Sequence, residues 1–214
     1  MSLLSWKGFQ KAFEYINLIE QGMVCTLSLS ALTVLFGFIL ALFLAICRLS
    51  NFKPAKYLAT VYVEVIRATP MLVQLFIVYN ILLAGVSLPR FKLFGFIRFE
   101  RFLPGVIALS LNSGAYLCEI IRSGIQRGDF IRLFGACGEH QNMQLIVLPQ
   151  AIKNILPAIA NEFVTIIKES SICYTIGVQE IMYGVNSIKG ATFSIGEPLI
   201  IAAVVYFCLT FPTS

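Results

Sequence analysis

Charged side chains are few in this sequence: 13% of its 214 residues, against about 25% in an ordinary soluble domain. Histidine and tryptophan occur once each, and a lone His140 cannot build a metal site by itself. The six cysteines (Cys25, Cys47, Cys118, Cys137, Cys173 and Cys208) form no C-x-x-C pair and no Cys/His cluster. Most lie in apolar runs, where cysteine packs as a small hydrophobe. The glycine pattern G-x-x-x-x-G-K-[ST] is missing, so this chain does not cradle ATP phosphates itself. No nucleophile–base pair is evident, which argues against a soluble enzyme. The net charge of +5 falls between apolar stretches, without a nucleic-acid-binding pattern.

What is abundant is apolar: 58% of residues are hydrophobic, 18 of them Phe, and the mean hydropathy is +0.84. Lipid is then the expected solvent for much of the chain, and the fold class is all-α integral membrane. Residues 1–20 read as an amphipathic interfacial helix, with Trp6, Phe9, Phe13 and Ile16 on one face. They do not read as a signal peptide, because the apolar run that follows is too long for one and shows no small-residue cleavage site. From residue 21 to 214 about five transmembrane helices are predicted, over approximately 22–47, 68–89, 102–121, 155–180 and 198–213. Thr69 and Pro70 read as N-cap and first residue of the second span. Glu64 and Arg67, three apart, are placed to pair. Thr33, Gly37, Ala41 and Ala45 form a small-residue stripe that admits a close helix neighbour. Residues 90–101, basic and aromatic, read as an extramembrane or interfacial loop.

Lys and Arg divide evenly between the two sides, seven to each, so orientation rests on the first helix. Arg48, Lys53 and Lys56 follow it uncompensated, which favours an outside N-terminus.

Three stretches carry a resemblance: residues 62–74 (YVEVIRATPMLVQ), 108–126 (ALSLNSGAYLCEIIRSGIQ) and 148–157 (LPQAIKNILP), the last continuing through Asn161-Glu162-Phe163 and Lys168-Glu169-Ser170-Ser171. In this order and spacing the chain resembles the permeases of bacterial ABC importers for polar amino acids, of the histidine, arginine, glutamine and general L-amino-acid type. The likeness spans nearly the whole chain. It implies a type I ABC-importer core of five helices in the inner (cytoplasmic) membrane, with the N-terminus outside and the C-terminus cytoplasmic. It also implies a second permease subunit, identical or homologous, and an extracytoplasmic amino-acid-binding protein. ATP and Mg would be bound by separate ATPase subunits, leaving this chain with no cofactor of its own. The cytoplasmic loop 123–153 would then couple to the ATPase.

The resemblance breaks in that loop. Counting back from Pro149, Phe130, Ile131 and Arg132 occupy the positions of the family's Glu-Ala-Ala, and Ala136 that of its Gly. Ile146, Leu148 and Pro149 fit the end of the motif and are the coupling candidates. Residues 127–138 read as foreign, the loop is about four residues short, and Thr213-Ser214 stands where the family runs on into a basic tail. A local frame disruption or a degenerating gene copy is the hypothesis, and resequencing codons 126–140 tests it.

Polar residues inside a membrane are costly and mark function. Asn112 and Ser113, mid-way along the third span, are candidates to line a substrate path or to bond neighbouring helices. Glu162, Thr165 and Glu169 share a face of the fourth span, where a carboxylate would hold an amino group, or pair internally with Lys168 or Arg122. The expected function is the translocation path of an ATP-driven importer for a polar L-amino acid. The alternatives are an ion-coupled carrier using Glu162, Lys168 and Glu169 as a relay, and a permease remnant that no longer transports.

Overall fold

The computed structural model describes residues 4–133 and 148–213. Among them the chain is helical except for one small hairpin and short connections. Helix α1 (Trp6–Phe13) starts where the Ser5 hydroxyl accepts the Gly8 N–H at 3.0 Å. After a break at Glu14 and Tyr15, α2 (Ile16–Leu49) runs for 34 residues, about 51 Å. Helix α3 (Lys53–Ala68) begins with Pro54 in its first turn. Helix α4 (Met71–Ile77) continues through a π-helical turn, Val78–Leu82. Strands β1 (Lys92–Leu93) and β2 (Ile97–Arg98) pair antiparallel and lead into α5 (Phe99–Leu133), then α6 (Leu148–Glu169). A 3-10 turn (Ser170–Ile176) ends at Gly177, whose φ of 83° is the left-handed region. Helices α7 (Ile181–Thr192) and α8 (Gly196–Thr210) follow.

Helix directions come from what touches what. A Cβ on Gly105 would meet Leu29, Gly37 faces Ser113, Gly114 faces Leu40, and Arg48 reaches Glu119. Both series rise together, so α2 and α5 run parallel and the chain between them must return. The return is α3 and α4, bent by 114° at Thr69-Pro70. Gln74 meets Asn112 and Tyr79 meets Arg101, so α4 is antiparallel to α5. Ile155 beside Gly124 and Glu162 beside Ser113 make α6 antiparallel to α5 as well. Helix α8 turns back once more, from Glu197 beside Ser5 to Tyr206 bonded to Glu180.

By length and apolarity, two of the described helices qualify as membrane spans, α2 and the Phe99–Gly124 part of α5. The bent pair makes a third. Helix α6 carries Lys153, Glu162, Lys168 and Glu169, and α8 has 15 residues, or about 22 Å; both fall short of the test for those reasons.

Helix boundaries depart from the apolar runs in five places. Residues 53–68 are helical, so the second passage begins well before residue 68. Thr69 is extended (φ −110°, ψ 143°) because the ring of Pro70 excludes the helical region from the residue before it. Pro70 is therefore the N-cap of α4, and the Thr69 hydroxyl donates back to Val65 O at 2.9 Å. The 155–180 run divides into α6, the 3-10 turn and the Gly177 bend. Helix α7 was not expected at all. Much of 123–153 is helix, in the ends of α5 and α6.

Three buried clusters hold the bundle. Leu75, Val78, Phe102, Val106, Leu109 and Ile166 join α4, α5 and α6. Ala41, Leu44, Val63, Leu117 and Ile121 join α2, α3 and α5. Ala12, Ile19, Ile181, Val185 and Ile201 join α1, α2, α7 and α8. The stripe Thr33, Gly37, Ala41 and Ala45 is buried throughout, and a Cβ on Gly37 would stand 3.0 Å from Ser113 Oγ. The stripe is thus the seam between α2 and α5.

Candidate functional site

The interior of an apolar bundle offers polar side chains few partners, so each buried polar residue here has a specific neighbour. Asn112, 6% exposed, donates from Nδ2 to Oε1 of Gln74 at 3.0 Å. Gln74 Nε2 in turn donates to Ile66 O (2.7 Å), Thr69 O (3.0 Å) and Thr69 Oγ1 (2.9 Å). Ile66 and Thr69 lie where the α3–α4 break interrupts the helical hydrogen-bond ladder. Gln74 thus serves two carbonyls at the break: Ile66 O, which Pro70 cannot serve because it lacks an N–H, and Thr69 O. Asn112 thus makes a bond between α5 and α4.

Ser113 lies one residue on and faces the other way. Its hydroxyl is buried without a hydrogen bond of ordinary geometry, and the half-buried carboxyl of Glu162 on α6 is the polar group facing it. Glu169, two turns along α6, is half-buried and within electrostatic reach of Glu162. Thr165 sits between them, with its hydroxyl turned onto its own helix (Asn161 O, 3.0 Å). Lys168 is exposed and adjoins Glu169. Ser113, Glu162 and Glu169 therefore make one polar track at the α5–α6 interface, while Asn112 belongs to a different network. Arg122 is engaged by Glu119.

Other polar residues brace the bundle. Glu119 receives Arg48 of α2 at 2.5 Å and Arg122 one turn along α5. The Arg67 guanidinium lies over the Tyr116 ring (5.6 Å to its centre) and makes no ion pair with Glu64, so that expected pair does not form. Two carboxylates were missed by sequence reasoning. Glu180, fully buried, accepts from Met182 N (2.9 Å), Tyr183 N (2.8 Å) and Tyr206 OH (3.0 Å). Glu197 accepts from Ser5 N at 3.0 Å and closes over Gly8. Glu180 caps α7 although glutamate is not among the residues that usually signal an N-cap, so nothing local in the sequence marks it. Of the coupling candidates, Leu148 and Pro149 open α6, whereas Ile146, like Ala136, lies outside the described residues.

Comparison with known proteins agrees with this architecture. Residues 26–214 match the family model described as binding-protein-dependent transport system inner membrane component. The chain is 39% identical over 207 residues to the arginine transport system permease protein ArtQ of Bacillus subtilis (strain 168), covering 94% of this chain and 90% of that one. It is 35% identical to the putative glutamine transport system permease protein GlnP of Rickettsia felis, covering 93% and 89%. A solved structure described as an amino acid ABC transporter with histidines superposes with a TM-score of 0.83 at 38% identity, covering 96% of this chain and 93% of that one. The MetNI methionine ABC transporter in an inward-facing form shares the fold at a TM-score of 0.62 and 14% identity. The parallel α2–α5 pair, the bent return and the matched length together place the chain in the binding-protein-dependent transport system inner membrane component family, as a multi-pass permease with the type I importer fold.

Proposed function

We propose that this chain forms the translocation path of an ATP-driven ABC importer for a polar L-amino acid. The observation that carries the reading is the buried Ser113 hydroxyl on α5 facing the carboxyl of Glu162 on α6, with Glu169 further along α6 within its electrostatic reach. A carboxylate beside a hydroxyl suits the ammonium group that every amino acid carries, and such groups are retained inside a membrane where a polar cargo must pass. The relatives named for arginine and glutamine transport support the same substrate class. ATP and Mg would be held by partner ATPase subunits, a second permease subunit would complete the path, and an extracytoplasmic binding protein would deliver the substrate. The N-terminus would lie outside and the C-terminus in the cytoplasm.

Coupling to the ATPase would pass through the chain between α5 and α6, ending at Leu148 and Pro149. A second reading, in which this copy inserts but no longer couples, rests only on the departure of residues 127–138 from the family pattern. Mild-detergent capture of the tagged chain from its own membrane separates the two. An ATPase subunit recovered with the chain supports the importer; a stable, inserted chain recovered without one supports the uncoupled copy.

A further inference from the structure

The hairpin between α4 and α5 carries charge that transport leaves unused. Lys92 and Arg98 stand directly opposite each other in its register. Like charges so placed repel unless an anion sits close by. Arg90 and Arg98, both exposed, line a cavity of about 600 Å³ between the hairpin, the end of α4 and the start of α5. Arg101 on its wall is held in place, its guanidinium over the Tyr79 ring (5.2 Å) and donating to Ile176 O at 3.3 Å. Among the described residues Glu100 is the one acidic residue lining the cavity. Leu83, Val86 and Leu88 also line the cavity, Val86 being 52% exposed, and Ile81 in the adjoining π-helical turn is 69% exposed. Exposed aliphatic groups beside a knot of cations mark the boundary between hydrocarbon and headgroups.

We infer that this cavity binds the phosphate headgroup of an anionic phospholipid. Arg90 and Arg98 take the phosphate as paired guanidinium donors, which suit its geometry better than lysine does. The acyl chains continue past Ile81 along the exposed face of α4. A soluble anion would need the arginines alone. The exposed Val86 in the lining and the exposed Ile81 in the turn beside it argue for a ligand with a hydrocarbon part.

The test is lipid binding by the full chain, purified in neutral detergent and titrated with phosphatidylglycerol and with phosphatidylcholine. Both arginines are exposed, so the double variant Arg90→Gln/Arg98→Gln should keep its unfolding midpoint. Its affinity for phosphatidylglycerol should fall roughly 10- to 30-fold, with phosphatidylcholine unaffected. Val86→Ser should weaken phosphatidylglycerol binding and leave inorganic phosphate binding unchanged. Equal affinity of wild type and double variant for phosphatidylglycerol overturns the assignment. So does displacement by inorganic phosphate at the lipid's own concentration, which makes the cavity a free-anion site. Loss of binding-protein docking in the double variant with lipid affinity intact also overturns it and makes the face a protein contact.

Discussion

Gln74 of α4 and Asn112 of α5 are joined side chain to side chain at 3.0 Å, and the same Gln74 amide caps Ile66 O and Thr69 O across the break between α3 and α4. One glutamine thus serves two purposes. It replaces the helical hydrogen bond lost at Pro70, and it fixes the 114° bend against the helix that carries Ser113 on its next residue.

Breaking this link should destabilise the fold. Asn112→Leu leaves Gln74 Oε1 buried without its donor, at a cost of about 1–3 kcal/mol. Gln74→Leu should cost more, since it strips the carbonyls at the break as well. The double variant should then fall close to Gln74→Leu alone. Unfolding midpoints in detergent check this, and additive losses would show that the two residues act independently.

The Arg48–Glu119–Arg122 cluster ties the C-terminal end of α2 to the middle of α5. Arg48→Met should lower stability by about 1.5–3 kcal/mol, the range for a charged hydrogen bond. Arg122→Met should lower it less, because its pairing with Glu119 lies within one helix and spans no interface. Chemical denaturation of the three proteins gives the order.

Close backbone approach makes Gly22 a sensitive position. A Cβ there would lie 2.8 Å from the backbone N and Cα of Ile181, atoms that cannot swing aside. Gly22→Ala should cost about 1–3 kcal/mol. Gly85, with open space around it, should accept alanine without loss. Parallel thermal melts of the two variants make the comparison, and similar behaviour would contradict the packing described for α2 against α7.

Sequence and structure agree where a residue's neighbours lie along its own helix, and part where they lie across the bundle. The charge-free run of α2 and its small-residue stripe were legible because lipid and close packing each leave a local pattern. The 90–101 segment was legible as a connection, and Phe94 and Gly95, both with positive φ, supply its turn. Helix α3 was not legible: Lys53, Lys56, Glu64 and Arg67 break its hydropathy, although its buried face packs on α5. Asn112 and Ser113 were marked together as one candidate, but adjacent residues on a helix point about 100° apart, so they joined different networks. Glu180 escaped notice because its partner Tyr206 is 26 residues away.

The polar track makes its own demand on transport. Glu162→Gln keeps the shape and removes the charge facing Ser113, and uptake should fall roughly 10- to 150-fold, the equivalent of a lost charged hydrogen bond. Thr165→Val should change uptake little, since its hydroxyl is turned onto Asn161 O. Radiolabelled amino-acid uptake by cells carrying each variant, normalised to protein in the membrane, provides the comparison.

The central claim is that this chain passes a polar amino acid at the expense of ATP hydrolysed by a partner. Its most direct test is uptake into proteoliposomes holding the chain with its co-purified ATPase, supplied with binding protein and labelled polar amino acids. The account predicts uptake that requires ATP, ignores an uncoupler and falls with Glu162→Gln. Uptake that persists without ATP and collapses with the uncoupler would contradict it and point to an ion-coupled carrier.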